Sequence, residues 1–242
     1  MISLHPKIQR ALITGGSRGI GLAIARRLMD QGVEVYYASR QPSAFEHSLL
    51  HHLAADFSNP RESMGAISES FQGMERVPDV LVCAAGTLHE ALVLRQEDAS
   101  MEEQLRVNMT FHMHLIRWIV APMLLRRFGR IVGISSTAAR FPAPGQAVYA
   151  SAKAGLEAFL KGCAVEFARK GITCNWVTPG YVRTDFSSEF LAQKDLKKVV
   201  PVGRAGTSEE VAEAVMLFLG EYSDYLTGSQ IVVDGGLSLA VK

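Results

Sequence analysis

Residues 10–32 read RALITGGSRGIGLAIARRLMDQG, and the change of pattern inside this stretch decides the fold class. The short apolar run from Ala11 to Thr14 ends in a turn punctuated by Gly15, Gly19 and Gly21. LAIARRLMDQG then carries helical periodicity up to Gly32, so the reading is strand, tight turn, helix. A second strand follows in VEVYYAS (33–39), rich in β-branched and aromatic residues. The alternation recurs at HHLAAD (51–56), VPDVLVCAAG (77–86), GRIVGISS (129–136), GITCNWVTPG (171–180) and SQIVVDGG (229–236). Alternating strands and helices predict an α/β fold: one Rossmann-type, doubly wound parallel sheet with helices on both faces. A single domain is expected over 1–242. Its least regular stretch, Tyr181 to Val202, follows a strand end and is expected to form a flap over the substrate.

Bulk composition narrows the function classes. With 242 residues and 48% apolar composition the chain can bury a sizeable core. Its 25 basic and 24 acidic residues are interspersed, which argues against a nucleic-acid or membrane-surface partner. Cys83, Cys163 and Cys174 lack metal-ligand spacing, and they read as reduced core thiols with no metal expected. Arg117, Pro122 and Arg126 interrupt the longest apolar segment, so no membrane span is expected. The start MISLHPKIQR lacks the apolar core of a secretory signal. A cytoplasmic enzyme is the expectation.

The glycine turn sits where a dinucleotide pyrophosphate binds. A tight turn, close backbone approach and a helix N-terminus with free N–H groups all suit an anion. Gly15, Ser17, Arg18, Gly19, Ile20 and Gly21 are the candidate contacts. The end of the second strand, where an acidic residue would hold the ribose hydroxyls of NAD, carries Ser39 and Arg40 instead. Together with Arg18, Arg40 can pair with a 2′-phosphate, which favours NADPH. A simply solvated surface arginine is the alternative for either residue, and their placement at two points flanking the same ribose favours the pairing.

Tyr149 and Lys153 stand four apart in a segment with helical periodicity, so phenol and ammonium share one face. Hydride delivery to a ketone leaves an alkoxide that needs a proton, and a nearby ammonium is expected to lower the phenol toward neutral pH. Ser136 is placed to hold the substrate oxygen. Asn108, polar within an apolar helical stretch, can anchor a water linking Lys153 to solvent, or be a satisfied core amide.

Matched in order, TGGSRGIG (14–21), Asp56, Ala85-Gly86, Asn108, Ser136, Tyr149-x3-Lys153, Pro179-Gly180 with Thr184, and Asp234-Gly235-Gly236 resemble the short-chain dehydrogenase/reductase family across essentially the whole chain. The resemblance implies that Asn108, Ser136, Tyr149 and Lys153 form a catalytic tetrad. It also implies that Asp56, with Phe57, meets the adenine; that Ala84, Ala85 and Gly86 line the cofactor; and that Pro179, Gly180, Val182 and Thr184 meet the nicotinamide. PGQAVYASAKAGL, GITCNWVTPGYVRTDF, VGRAGTSEEVA and YLTGSQIVVDGG are most similar to the 3-oxoacyl-acyl-carrier-protein reductases. That likeness implies a homotetramer built on the helices around 109–125 and 151–169, or a heteromer with a related reductase. It also implies an acyl carrier protein docked on Arg127 and Lys170 at the mouth of the site, in fatty-acid, polyketide or polyene assembly. Phe141, Tyr181, Phe186 and Phe190 are candidate pocket residues that suit an acyl chain and a ring equally.

One departure stands out. Such families usually read Asn-Asn-Ala-Gly after the fourth strand, whereas this chain reads Cys83-Ala84-Ala85-Gly86, so the backbone groups there need other partners. A reductase of a free small-molecule ketone, and a subunit of a heteromeric reductase with little activity alone, stay open.

Overall fold

The computed structural model describes residues 2–74, 77–185, 187–192 and 194–240, without the side chains of residues 189 and 190. Seven parallel strands form one sheet among the described residues: β1 (Arg10–Thr14), β2 (Glu34–Ser39), β3 (Leu50–Ala54), β4 (Val80–Cys83), β5 (Gly129–Ile134), β6 (Ile172–Pro179) and β7 (Gln230–Val233). Their spatial order is β3-β2-β1-β4-β5-β6-β7. The chain winds outward from β1 to β3, returns to pair β4 with β1, and winds out the other way. The reversal lies between β1 and β4, where Leu12 pairs with Leu81 and Thr14 with Cys83. Ligands bind such sheets outside the carboxyl ends of the strands flanking this reversal.

Side chains alternate across the sheet with a period of two. Ala11, Ile13, Val35, Val80, Val82, Val132 and Val177 face one apolar cluster, which α1 (Gly19–Met29) covers; Leu12, Tyr36, Leu53, Leu81, Cys83, Ile131 and Cys174 face the other, which α2 (Pro60–Ser70) helps to cover. After α3 (Asp98–Leu105), a π-helical turn at Arg106–Thr110 leads into α4 (Phe111–Arg126). The helix expected from about 109 therefore starts after a change of hydrogen-bond register. Next comes α5 (Ala147–Phe167), which lies with α4 on the second face. It comes close to β5 because Gly133 has no side chain: a Cβ there would meet Leu160 at 2.5 Å.

The expected flap contains two short helices, α6 (Ser188–Ala192) and α7 (Leu196–Val199). It is pinned at both ends, since Gly206 N donates to Tyr181 O at 2.8 Å and Val202 N to Gly235 O at 3.1 Å. Helix α8 (Ser208–Leu217) joins α1 on the first face and starts with a capping box between Thr207 and Glu210. The short α9 (Leu237–Ala240) follows β7, with Asp234 accepting from Gly236 N and Ser238 N at 2.8 Å. Among the described residues no helix is long and apolar enough to cross a membrane.

Gly32 does close α1. Its φ is +79°, and Gly32 N reaches Met29 O while Val33 N reaches Leu28 O, the paired bonds of a Schellman ending.

Candidate active site

A cleft of about 900 Å³ opens at the carboxyl ends of the strands. Gly15, Ser17, Arg18, Gly19, Ile20 and Gly21 line one side, with Ser39, Arg40, Asp56 and Phe57 beyond them; Ala84, Ala85 and Gly86 lie between these and Ser136, Tyr149 and Lys153. Pro179, Gly180, Tyr181, Val182 and Thr184 form the far wall, and Phe141 stands at the rim. Phe186 and the side chain of Phe190 lie outside the described residues. Asn108 is fully buried behind Gly86.

The glycine turn fits a pyrophosphate on two counts. A Cβ on Gly21 would meet Gly15 O at 2.3 Å, and one on Gly15 would meet Ala85 Cα at 2.9 Å, so the turn can be this compact only with glycine. Helix α1 begins at Gly19 with no side-chain cap and no acidic residue in its first turn. Its N–H donors and the positive end of its dipole thus face the cleft. Arg40 is exposed at the cleft edge, and Ser39 donates its hydroxyl to Gln41 O at 2.7 Å. Arg18 also lines the cleft, but its Nη1 lies 3.8 Å from Asp185 Oδ2, so it bridges toward the opposite wall as well as flanking the turn.

The tetrad residues are brought together by β5, α5 and the π turn. Ser136 follows β5 and lies near enough to the Tyr149 phenol in the cleft lining to favour its ionised form. Lys153, one turn along α5 from Tyr149, donates from Nζ to Ile134 O at 2.9 Å, and Nζ lies 5.7 Å from the centroid of the Tyr149 ring. Gly86 allows this packing, since a Cβ there would sit 2.9 Å from Asn108 Oδ1 and 3.6 Å from Lys153 Nζ. The Asn108 side chain has the partners of the core amide that was the alternative expectation. Its amide donates to Thr87 O and Gln104 O, each at 2.8 Å, and its oxygen accepts from Thr87 N at 3.2 Å. It clamps the loop after β4 to the π turn, a helix defect common at functional sites.

The expectation for the phenol is overturned. Burial pushes Tyr149 up to about 12 despite the nearby Ser136 that opposes the rise, and burial pulls Lys153 down to about 8 despite a nearby Cys83 that opposes the fall. The ammonium is near, yet the solvent lost by the half-buried phenol in the cleft wall sets the direction. Tyr149 is consequently a neutral donor throughout the neutral range, suited to protonating an alkoxide.

Several functional groups had escaped the sequence reading. Buried Glu157 accepts from Ser135 at 2.6 Å and so steadies the end of β5 beside Ser136. Gln146 donates to Glu90 at 2.7 Å across the cleft mouth. Thr14 Oγ1 accepts from Ala84 N at 3.0 Å and Ala85 N at 3.1 Å, which supplies partners to the backbone beside Cys83-Ala84. Glu157 lies four residues beyond Lys153, a helical spacing that does signal a shared face. The other pairings join distant segments and leave no local signal.

Arg127 and Lys170 correct another expectation. Each lies just before a strand, β5 and β6 respectively, whereas the cleft is at the strands' other ends. Lys170 follows the 21 residues of α5, whose first turn carries Tyr149, so the two are about 30 Å apart along the helix. These cations do not stand at the mouth of their own chain's cleft.

Comparison with known proteins agrees with this geometry. The family model described as Enoyl-(Acyl carrier protein) reductase matches residues 15–238. The chain belongs to the short-chain dehydrogenase/reductase family. It is 31% identical to the 3-oxoacyl-[acyl-carrier-protein] reductase of Chlamydia pneumoniae, over 95% of this chain and 97% of that one. It is 36% identical to carbonyl reductase family member 4 of Xenopus laevis, over 94% and 97% respectively. Among solved structures, a gluconate 5-dehydrogenase from Burkholderia cenocepacia, in complex with NADP and tartrate, superposes with a TM-score of 0.89 at 30% identity, covering 99% of this chain and 98% of that one. The protein is thus an oxidoreductase of this family built for a nicotinamide cofactor, and the glycine turn and uncapped α1 are the residues that would hold its phosphates. That cofactor would supply hydride chemistry there.

The depressed Lys153 value has a stability consequence. Between about pH 8 and 10.5 the unfolded chain holds a proton that the folded one has lost, so folding stability gains with rising pH across that window. Below it, the buried charge is a cost. Lys153→Met should raise the urea midpoint at pH 7 while abolishing turnover, and the gain should shrink as pH climbs through the window. A midpoint difference that is flat with pH would show that Lys153 is not buried as a charge.

Proposed function

We propose that the protein is an NADPH-dependent ketoreductase that converts a 3-oxoacyl thioester, carried on an acyl carrier protein, to the 3-hydroxyacyl product. The observation that carries this reading is a protonated, half-buried Tyr149 beside Ser136 and Lys153 in the same cleft as the uncapped N-terminus of α1. Ser136 and Tyr149 orient the ketone oxygen, Lys153 and Asn108 hold the phenol's surroundings, and the proton passes from Tyr149 Oη to the alkoxide. Arg40, with no carboxylate at the end of β2, favours a 2′-phosphate over a bare ribose. The likeness to the Chlamydia reductase, together with apolar Leu88, Phe141 and Leu237 in the cleft lining, supports an acyl substrate.

A second reading, reduction of a free polar ketone, is favoured by the Glu90–Gln146 pair and by the likeness to the gluconate 5-dehydrogenase and to carbonyl reductase family member 4. The homotetramer remains our reading too, supported by the bare apolar side chains of Leu125 on α4 and Val165 on α5, and the surroundings would be cytoplasmic. A carrier docked on Arg127 and Lys170 stands too far from Tyr149 of the same chain, so it would serve the cleft of a second copy.

Three experiments test these statements. NADPH oxidation with an acetoacetyl thioester should be turned over by the wild type and abolished in Tyr149→Phe, with cofactor affinity nearly intact; activity only on free ketones would transfer the protein to the second reading. Arg40→Asp should shift the NADPH/NADH preference toward NADH by at least about tenfold, the equivalent of about 1.4 kcal/mol. An unchanged ratio would mean that the ribose is read elsewhere. Arg127→Glu with Lys170→Glu should harm carrier-bound substrate far more than a soluble thioester mimic, and equal loss on both would remove the docking assignment.

A further inference from the structure

His112 is fully buried, one helical turn beyond Asn108, and has no part in the proton transfer described above. Two polar groups meet at its ring. Thr14 Oγ1 lies 3.0 Å from Nε2, and the main-chain oxygen of Asn108 lies 3.4 Å from Nδ1. Thr14 Oγ1 already accepts from Ala84 N and Ala85 N, which occupies both of its lone pairs. Its hydroxyl proton must therefore point outward, with His112 Nε2 at 3.0 Å and Val82 O at 3.5 Å within reach. The shorter contact selects Nε2 as acceptor, which puts the ring proton on Nδ1, facing a carbonyl that can only accept.

Both alternatives fail on the same contacts. The Nε2–H tautomer would aim a donor at an oxygen with no free lone pair, and would set a bare Nδ1 against the Asn108 carbonyl. The imidazolium would repeat the first fault beside the Lys153 ammonium. Burial and that neighbouring charge pull the ring down to about 3, so it is neutral in the working range.

We propose that His112, as the neutral Nδ1–H tautomer, is a positioning residue that couples the cofactor loop to the catalytic turn. Its Nε2 fixes Thr14, which holds Ala84 and Ala85 against the glycine turn, where a Cβ on Gly15 would already meet Ala85. Its Nδ1 fixes the main chain of Asn108, whose side chain shares the niche behind Gly86 with Lys153. Cofactor loop and catalytic turn thereby become one hydrogen-bonded unit. The inference rests on the reading of this cleft as a reductase site, not on which carbonyl is reduced.

The decisive measurement is a long-range proton–nitrogen NMR correlation on the full chain carrying ¹⁵N-labelled histidine. Nδ1 of His112 should appear protonated and Nε2 bare, unchanged from about pH 5.5 to 8, where an ordinary histidine titrates. An Nε2–H ring, or one that titrates in this range, overturns the proposal.

Substitutions separate the two arms. His112→Gln offers an amide oxygen near Nε2, and His112→Asn an amide nitrogen near Nδ1. The Gln variant should keep NADP⁺ affinity within about twofold and lose about tenfold in kcat, roughly the worth of one hydrogen bond. The Asn variant should show the reverse split, and His112→Phe should lose both. Equal losses in Gln and Asn, or wild-type values in Phe, would reduce His112 to packing. The tautomer and NADP⁺ affinity are read without substrate, so a wrong substrate assignment leaves them unmoved. Should the variants fail to fold, the wild-type spectrum still decides.

Discussion

Lys153 Nζ donates to the Ile134 carbonyl at 2.9 Å from a fully buried position, and much of the site is arranged around that charge. An ammonium held away from water needs close, fixed partners. Helix α5 must lie hard against the end of β5 to supply one, and Gly133 allows it because a Cβ there would strike Leu160; Gly155 likewise lets Met109 of the π turn pack against α5. Gly86 leaves room for Asn108 on the remaining side. The π turn then lets the Asn108 side chain tie the loop after β4 without breaking the helix that continues as α4. The bond holding Lys153 also fixes Tyr149 one turn away, so the proton donor is positioned by the packing that makes its neighbour costly to bury.

The two ends of the sheet divide the work. At the strands' amino ends, charges are matched: buried Arg130 pairs with Asp224 and donates to Gly129 O and Gly171 O, and Asp79 accepts from Gln9 N and Arg10 N. Bonds of this kind hold the fold together. At the carboxyl ends, α1 leaves its first N–H groups without a side-chain cap, and Tyr149 and Lys153 sit far from their ordinary ionisation ranges. Function occupies the end where the fold forgoes its own bonds, and the basic residues Arg127 and Lys170 belong to the other end.

The strands were legible because most are short apolar runs with a glycine, proline or polar break, and the alternation with helices left one sheet type. The tetrad was legible from local spacing, most plainly Tyr149-x3-Lys153. What stayed hidden depended on distance along the chain: Thr14 and His112 stand 98 residues apart, and Ser135 and Glu157 stand 22 apart. The Tyr149 shift was misjudged for a different reason. Spacing reports that an ammonium is near but not how much solvent both groups lose, and here the second quantity decides the direction. The misplacement of Arg127 and Lys170 was avoidable, since residues just before parallel strands lie opposite the ligand end.

Cys83-Ala84 shows how the fold absorbs the loss of side-chain amides at its centre. Cys83 is buried and its thiol is pushed well up by desolvation, so it stands near Lys153 as a neutral group and adds no carboxylate-like partner. The backbone N–H groups of Ala84 and Ala85 would be expensive to leave unpaired there. The Thr14 hydroxyl takes both, and only an acceptor for its own proton is then missing, which a neutral imidazole provides. The task of holding the loop thereby passes from β4 to β1 and α4. Since β1 runs directly into the glycine turn and α4 grows directly out of the turn bearing Asn108, this substitution binds the cofactor side and the proton-transfer side through one buried ring.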